Sequence, residues 1–299
     1  MDLNKLATEQ RNEHTMALDT LSPLEFVTVM NQEDQKVAIA IEKVKHLIAD
    51  LIEESTKRFK MGGRLIYMGA GTSGRLGVLD AAECVPTFGT TPDQVIGLIA
   101  GGEKAMTVAV EGAEDDALLG ESDLRHLNIT SKDIVIGIAA SGRTPYVIGG
   151  LNYANKVGAL TGSISCNPDS AIGKIATHPI DVSVGPEILT GSTRLKSGTA
   201  QKLILNMIST GIMVGIGKVY QNLMIDVQPT NEKLVERSIG IIGEVTGLNK
   251  GEATELFYES DKQVKVAIVM GLNHVSKVEA MNILNKNNGF IRSNEEGMS

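Results

Sequence analysis

The 299-residue chain is predicted to be an α/β protein, with a parallel sheet flanked by helices, an N-terminal helical segment and a small all-helical C-terminal part. Three observations carry this prediction. From residue 64, short apolar runs at 64–68, 95–100, 134–139, 160–165 and 180–184 alternate with helical stretches such as 144–156. Each run is bounded by Gly, Ser, Thr or Pro, and the alternation of strand and helix suits a parallel sheet covered on both faces. Glycine is frequent, at 32 residues, as tight strand–helix turns require. After about residue 228 the strand-like runs stop, and 234–245, 252–260, 263–270 and 275–287 read as short helices separated by Gly and Asn.

The N-terminal part is polar over residues 1–35, with Ser22-Pro23 as a helix start. Val37, Ile41, Val44, Ile48 and Leu51 then recur in steps of four and three, one face of a long helix that ends at Met61-Gly62-Gly63. Such a stripe packs on its own domain or against a second copy. A further apolar helix is expected over 199–219. The predicted division is 1–60 for the N-terminal helices, 61–225 for the sheet domain and 226–299 for the helical subdomain.

Composition removes several function classes. With a net charge of −8 the chain lacks the basic footprint of a nucleic-acid binder, so any phosphate must be held locally by backbone N–H groups and a few placed cations. Cys84 and Cys166 have neither metal spacing nor a disulfide framework and read as reduced, buried thiols. His14, His46, His126, His178 and His274 are scattered, so no metal site is expected. The polar N-terminus is not a signal peptide, and no apolar run approaches the ~20 residues of a membrane span, which together read as a cytoplasmic protein with no membrane partner.

The first strand runs into Gly69-Ala70-Gly71-Thr72-Ser73-Gly74, which fits G-x-G-x-x-G. The dinucleotide reading fails because the second strand ends in Gly101-Gly102, where the ribose-binding acid should stand. The P-loop reading fails because Arg75 and Leu76 follow Gly74 where Lys and Ser/Thr are needed. What remains is a loop of Gly71, Thr72, Ser73 and Gly74 at a helix N-terminus, either a plain turn capped by Ser73 or an anion cradle. The third strand runs into a second loop of this kind, Ser141-Gly142-Arg143-Thr144-Pro145. Two hydroxyl-rich loops at one edge of a parallel sheet can converge on one phosphate, and no nucleotide motif accompanies them. A phosphorylated sugar is the natural ligand class.

Loops of this form resemble those of the sugar isomerase (SIS) fold. Residues 69–87 read GAGTSGRLGVLDAAECVPT, 101–116 read GGEKAMTVAVEGAEDD and 185–202 read GPEILTGSTRLKSGTAQK. These stretches resemble the N-acetylmuramic acid 6-phosphate etherase family and, more distantly, the glucokinase regulatory protein. The resemblance covers nearly the whole chain. One departure is Cys84-Val85-Pro86, where the family more often carries a second Pro.

The resemblance implies a lyase-type etherase that converts N-acetylmuramate 6-phosphate and water into N-acetylglucosamine 6-phosphate and D-lactate. It also implies a homodimer with no metal and no organic cofactor. It carries the acid role onto Glu83 and the base role onto Glu114, because elimination needs two groups in opposed protonation states. Glu83, flanked by Ala81, Ala82, Cys84 and Val85, is expected to be partly desolvated. Glu114 lies in an acidic run with Glu111, Asp115 and Asp116, which without the resemblance reads as a solvated face. In the third stretch Glu187, Ser192 and Thr193 join the binding set, and Arg194, Lys196 and Lys202 are cations for the lactyl carboxylate or the phosphate. Salt bridges and helix capping remain open for each of these. The same fold also serves non-catalytic sugar-phosphate regulators and sugar-phosphate isomerases.

Overall fold

The computed structural model describes residues 6–229 and 231–292. Five strands, β1 (Leu65–Gly69), β2 (Val95–Ile99), β3 (Ile134–Ile138), β4 (Leu160–Ser165) and β5 (His178–Asp181), form one sheet in the order β2-β1-β3-β4-β5. Every pairing is parallel. β1, β3 and β4 are buried along their whole length, which explains the uninterrupted apolar sequences of β1 and β3, whereas β4 also buries Thr161, Ser163 and Ser165.

Helices α1 (Pro23–Glu42) and α2 (Lys45–Lys60) precede the sheet. α3 (Gly71–Phe88) follows β1, α4 (Ala117–His126) follows β2, α5 (Pro145–Val157) follows β3, and α6 (Ala171–Ile175) follows β4. α7 (Lys196–Gly215) comes next, then a two-stranded antiparallel pair, β6 (Val219–Tyr220) and β7 (Leu223–Met224). α8 (Glu232–Thr246), α9 (Lys250–Glu259), α10 (Val264–Asn273) and α11 (Lys277–Lys286) complete the described chain.

Two compact units result. One comprises the residues up to Ala82 together with Pro92–Ser209, and the other comprises Glu83–Thr91 together with the residues from Thr210 on. In the first, Ile66, Met68, Val135, Val147 and Leu151 form the centre of the core. In the second, Ile242, Phe257 and Ile268 do so.

The predicted long N-terminal helix is two helices. Ser22 caps α1 in a capping box with Glu25, and Pro23 sits at its first position. The helix breaks at Lys43–Val44, where Val44 N–H donates to Ile41 O at 3.0 Å, one residue short of the α-helical partner. The stripe survives the break: Val37, Ile41, Ile48 and Leu51 are buried and Val44 is half-buried. β5 lies two residues earlier than its apolar run suggested. α7 starts three residues earlier, for a reason described below.

α4 and α5 cross at glycines. A Cβ on Gly120 would collide with the Tyr146 carbonyl oxygen, and one on Gly149 with the Ala117 carbonyl oxygen. This close approach brings the segment before α4 onto the start of α5, and it sets the position of Glu114.

Candidate active site

In a sheet of this order the connections leave β1 and β3 on opposite sides, and ligands bind outside the carboxyl ends of the strands at such a switch point. β1 and β3 are paired neighbours, with Gly69 opposite Ile138, so the loops that follow them lie side by side. These are the two hydroxyl-rich loops of the sequence.

The first loop turns tightly. Gly71 has φ +51°, a left-handed conformation that glycine adopts without strain. A Cβ on Gly69 would stand 2.8 Å from the Gly74 nitrogen, so the loop folds flat on the strand end. Gly71 is exposed and Thr72 half-buried at the mouth. Ser73 is buried, and its hydroxyl donates to Gln201 Oε1 at 2.9 Å, tying this loop to α7. In the second loop Gly142 has φ +69° and packs on Ser170. The Arg143 N–H donates to Ser141 Oγ at 3.3 Å, and Ser141, Arg143 and Thr144 are half-buried.

Glu114 belongs to the long segment between β2 and α4. Its carbonyl oxygen accepts from Tyr146 N–H at 3.0 Å, in the first turn of α5, and its side chain is exposed. A cleft of about 230 Å³ lies against the first loop, lined by Ala70, Gly71 and Arg75 on one side and by Ala100, Val110 and Glu114 among others on the other. Glu114 and the glycine loop therefore meet at one cleft. Arg75 is the only basic residue lining it, and its guanidinium donates to the carbonyl oxygens of Ala105 (2.8 Å) and Met106 (3.0 Å).

Glu83 does not line this cleft. It lies twelve residues after Gly71 on α3, roughly 18 Å of helical rise, and its side chain is exposed rather than desolvated.

The third stretch contributes differently from the sequence expectation. Glu187 is fully buried and accepts from the N–H groups of Lys196 (2.9 Å) and Ser197 (2.8 Å), capping α7. That cap explains the early start of α7. Lys196 is 1% exposed, and its ammonium donates to Glu33 Oε2 of α1 at 2.7 Å. Both side chains are committed to the fold, so neither is presented to a ligand as expected. Ser192 and Thr193 are half-buried, and Arg194 and Lys202 are exposed. Gly198 approaches Thr72, where an added Cβ would lie 3.4 Å from the Thr72 methyl, so the start of α7 adjoins the glycine loop.

Arg75 and Gln201 were not singled out from sequence. A guanidinium directly after a glycine loop, in the first turn of its helix, is the signal that could have found Arg75. Cys84 and Cys166 are buried and not disulfide-bonded, and burial pushes the Cys166 thiol up to about 12. Among the described residues no group of His, Cys, Asp or Glu is arranged to hold a metal ion, and no helix is long and apolar enough to cross a membrane.

The parallel 2-1-3-4-5 sheet, with hydroxyl-rich loops over its switch point, is a doubly wound α/β arrangement, and family models identify it as a SIS domain. The glucokinase regulatory protein N-terminal SIS domain matches residues 43–155, and the SIS domain matches residues 116–210. A phosphoheptose isomerase from Francisella tularensis shares the fold with a TM-score of 0.50 at 13% identity, over 65% of this chain and 100% of that one. N-acetylmuramic acid 6-phosphate etherase 2 of Lactiplantibacillus plantarum is 63% identical over 98% of this chain and 99% of its own length. The N-acetylmuramic acid 6-phosphate etherase of Halalkalibacterium halodurans is 60% identical over 97% of each. The chain belongs to the N-acetylmuramic acid 6-phosphate etherase family.

Proposed function

We propose that this protein cleaves the lactyl ether of N-acetylmuramic acid 6-phosphate with water, releasing D-lactate and N-acetylglucosamine 6-phosphate, in amino-sugar catabolism and cell-wall recycling. The observation that carries the reading is Glu114 facing the same cleft as the glycine loop. The full-length similarity to etherases supports it, and the regulator and isomerase readings have no comparable support. The phosphate rests on the loops of Gly71–Gly74 and Ser141–Thr144. Arg143 supplies charge there, and Ser192, Thr193, Arg194 and Lys202 lie on the segment leading into α7.

The chemistry is elimination followed by hydration. In the ring-opened sugar the C2 proton is acidic because it adjoins an aldehyde. Glu114 removes it, the C3–O bond breaks, and the departing lactate oxygen takes a proton from an acid. Water then adds at C3, its proton returns to the carboxylate that served as acid, and Glu114 reprotonates C2. No metal or organic cofactor takes part.

Glu83 is the acid in this reading. An exposed carboxyl three turns along α3 from the loop serves a cleft by approaching it from a second copy, so we assign it to the partner in a homodimer of the cytoplasm. Glu83→Ala and Glu114→Ala should each be inactive alone. Mixed, unfolded and refolded together, they should recover about a quarter of wild-type activity, because half the dimers then hold one intact site of two. No recovery in verified mixed dimers would return Glu83 to its own chain's site.

The function itself is tested by lactate release from N-acetylmuramic acid 6-phosphate in ¹⁸O-enriched water. Label at C3 of the sugar supports elimination and hydration. Label in lactate keeps the activity and removes the mechanism. No lactate removes the etherase reading.

A further inference from the structure

The segment that carries Glu114 is long, and most of it is irregular. After β2 it runs through Gly101 and Gly102, both with positive φ, through a 3₁₀ turn at Glu103–Met106, and through ten more residues before α4 begins. Such a segment positions a side chain only if it is held elsewhere. Among the described residues, hydrogen bonds tie it to neighbouring helices at two points. Near its end the Glu114 carbonyl accepts from Tyr146 N–H, just past the second hydroxyl-rich loop. Near its start Arg75 reaches across from α3 and donates from Nε to Met106 O at 3.0 Å and from Nη2 to Ala105 O at 2.8 Å.

Arg75 directly follows Gly74, the last residue of the first loop. Both tethers of the Glu114 segment thus originate at the two loops read as the phosphate cradle. A phosphate seated there would order the first turns of α3 and α5, and through them the segment bearing the base. Two donors in a rigid fork suit this task, because a guanidinium fixes direction as well as distance.

We propose that Arg75 is a positioning residue that couples occupancy of the glycine loop to the placement of Glu114, so that the phosphate group of the substrate activates cleavage as well as anchoring the sugar. The proposal rests on the etherase reading above and names how that site is regulated by its own substrate. Its energetic logic is that binding energy from a non-reacting part of the substrate is used to set geometry at the reacting carbon.

The test separates the phosphate from the sugar. Wild-type protein is given unphosphorylated N-acetylmuramic acid, with and without inorganic phosphite as a free dianion, and lactate is measured. Phosphite should raise kcat/KM about tenfold or more. Arg75→Lys and Arg75→Ala should lose that activation. With the phosphorylated substrate they should show kcat lower by about 100-fold, the cost of roughly 1 Å of misplacement, with KM changed less than about threefold. Guanidinium ion should restore part of kcat to Arg75→Ala. Thermal unfolding of both variants is checked first, and Arg75→Lys carries the test if Arg75→Ala does not fold.

A wild-type enzyme indifferent to phosphite would overturn the coupling. So would variants that keep full activation, or that raise KM at unchanged kcat, since Arg75 would then hold substrate directly. Failure of the etherase reading is distinct: the wild type would release no lactate even from the phosphorylated sugar.

Discussion

Glu114→Gln is expected to lower kcat for lactate release by about 1,000-fold while KM changes less than about threefold, the size and pattern expected when a general base is removed and substrate contacts remain. Glutamine keeps the length and polarity of the side chain but takes up no proton at neutral pH. Because the Glu114 side chain is exposed and only its backbone carbonyl is engaged, by Tyr146 N–H, the variant should fold with stability within about 0.5 kcal/mol of wild type.

A further readout isolates the base role. In D₂O, wild type should exchange the C2 hydrogen of N-acetylglucosamine 6-phosphate for deuterium, and Glu114→Gln should not. Retained exchange, or a kcat close to wild type, would remove Glu114 from the base role.

The glycine loop and Glu114 were legible in the sequence to different degrees. Strands β1 to β4 fall within a residue of their apolar runs, most simply for β1 and β3, which are buried throughout and have no polar face to blur their ends. Ser22-Pro23 was legible because a capping box is a local, four-residue interaction. The loops after β1 and β3 were legible as turns, and their placement at one edge of the sheet followed from parallel topology.

What failed to show was tertiary. The cap on α7 comes from Glu187, nine residues before Lys196, through a buried contact that no local pattern encodes. Lys196 read as a ligand-facing cation because its partner, Glu33, is 163 residues away. Glu83 read as desolvated because its sequence neighbours are apolar. On a helix, however, side chains meet at spacings of three and four, so apolar sequence neighbours do not by themselves bury a residue. Ala81 and Cys84 point inward and are buried, whereas Ala82 and Glu83 point outward. Arg75 carried no signal beyond its position, since its function depends on carbonyls some thirty residues later.

The second large effect is on stability and concerns Glu33 and Lys196. Their side chains are 5% and 1% exposed, and the Lys196 ammonium lies 2.7 Å from Glu33 Oε2. Lys36, mostly exposed, meets the other carboxylate oxygen. Glu33→Gln should destabilise the protein by about 3–5 kcal/mol, because it leaves a buried ammonium without a counter-charge. Lys196→Met should cost somewhat less, since Lys36 still faces the carboxylate. Glu33→Leu combined with Lys196→Met should recover most of the loss, because an apolar pair of similar volume avoids the desolvation that the ion pair must offset. Urea midpoints read all three, and a double variant no better than Glu33→Gln would mean that the pair contributes more than charge balance. The pH dependence carries a definite sign. Burial alone pushes the Glu33 carboxyl up, but hydrogen bonds from Lys196 and Lys36 outweigh it and hold it at about 2, against 4.5 for a free carboxyl. A group depressed in the folded state adds stability above its unfolded value, and that stability is lost as pH falls through the folded one. Wild type should therefore lose on the order of 3 kcal/mol between pH 4.5 and 2 through this group alone, as a shift of that size converts at 1.36 kcal/mol per unit. The double variant should lack that part of the acid sensitivity. Equal acid profiles for the two proteins would show that other carboxylates, not Glu33, govern acid unfolding.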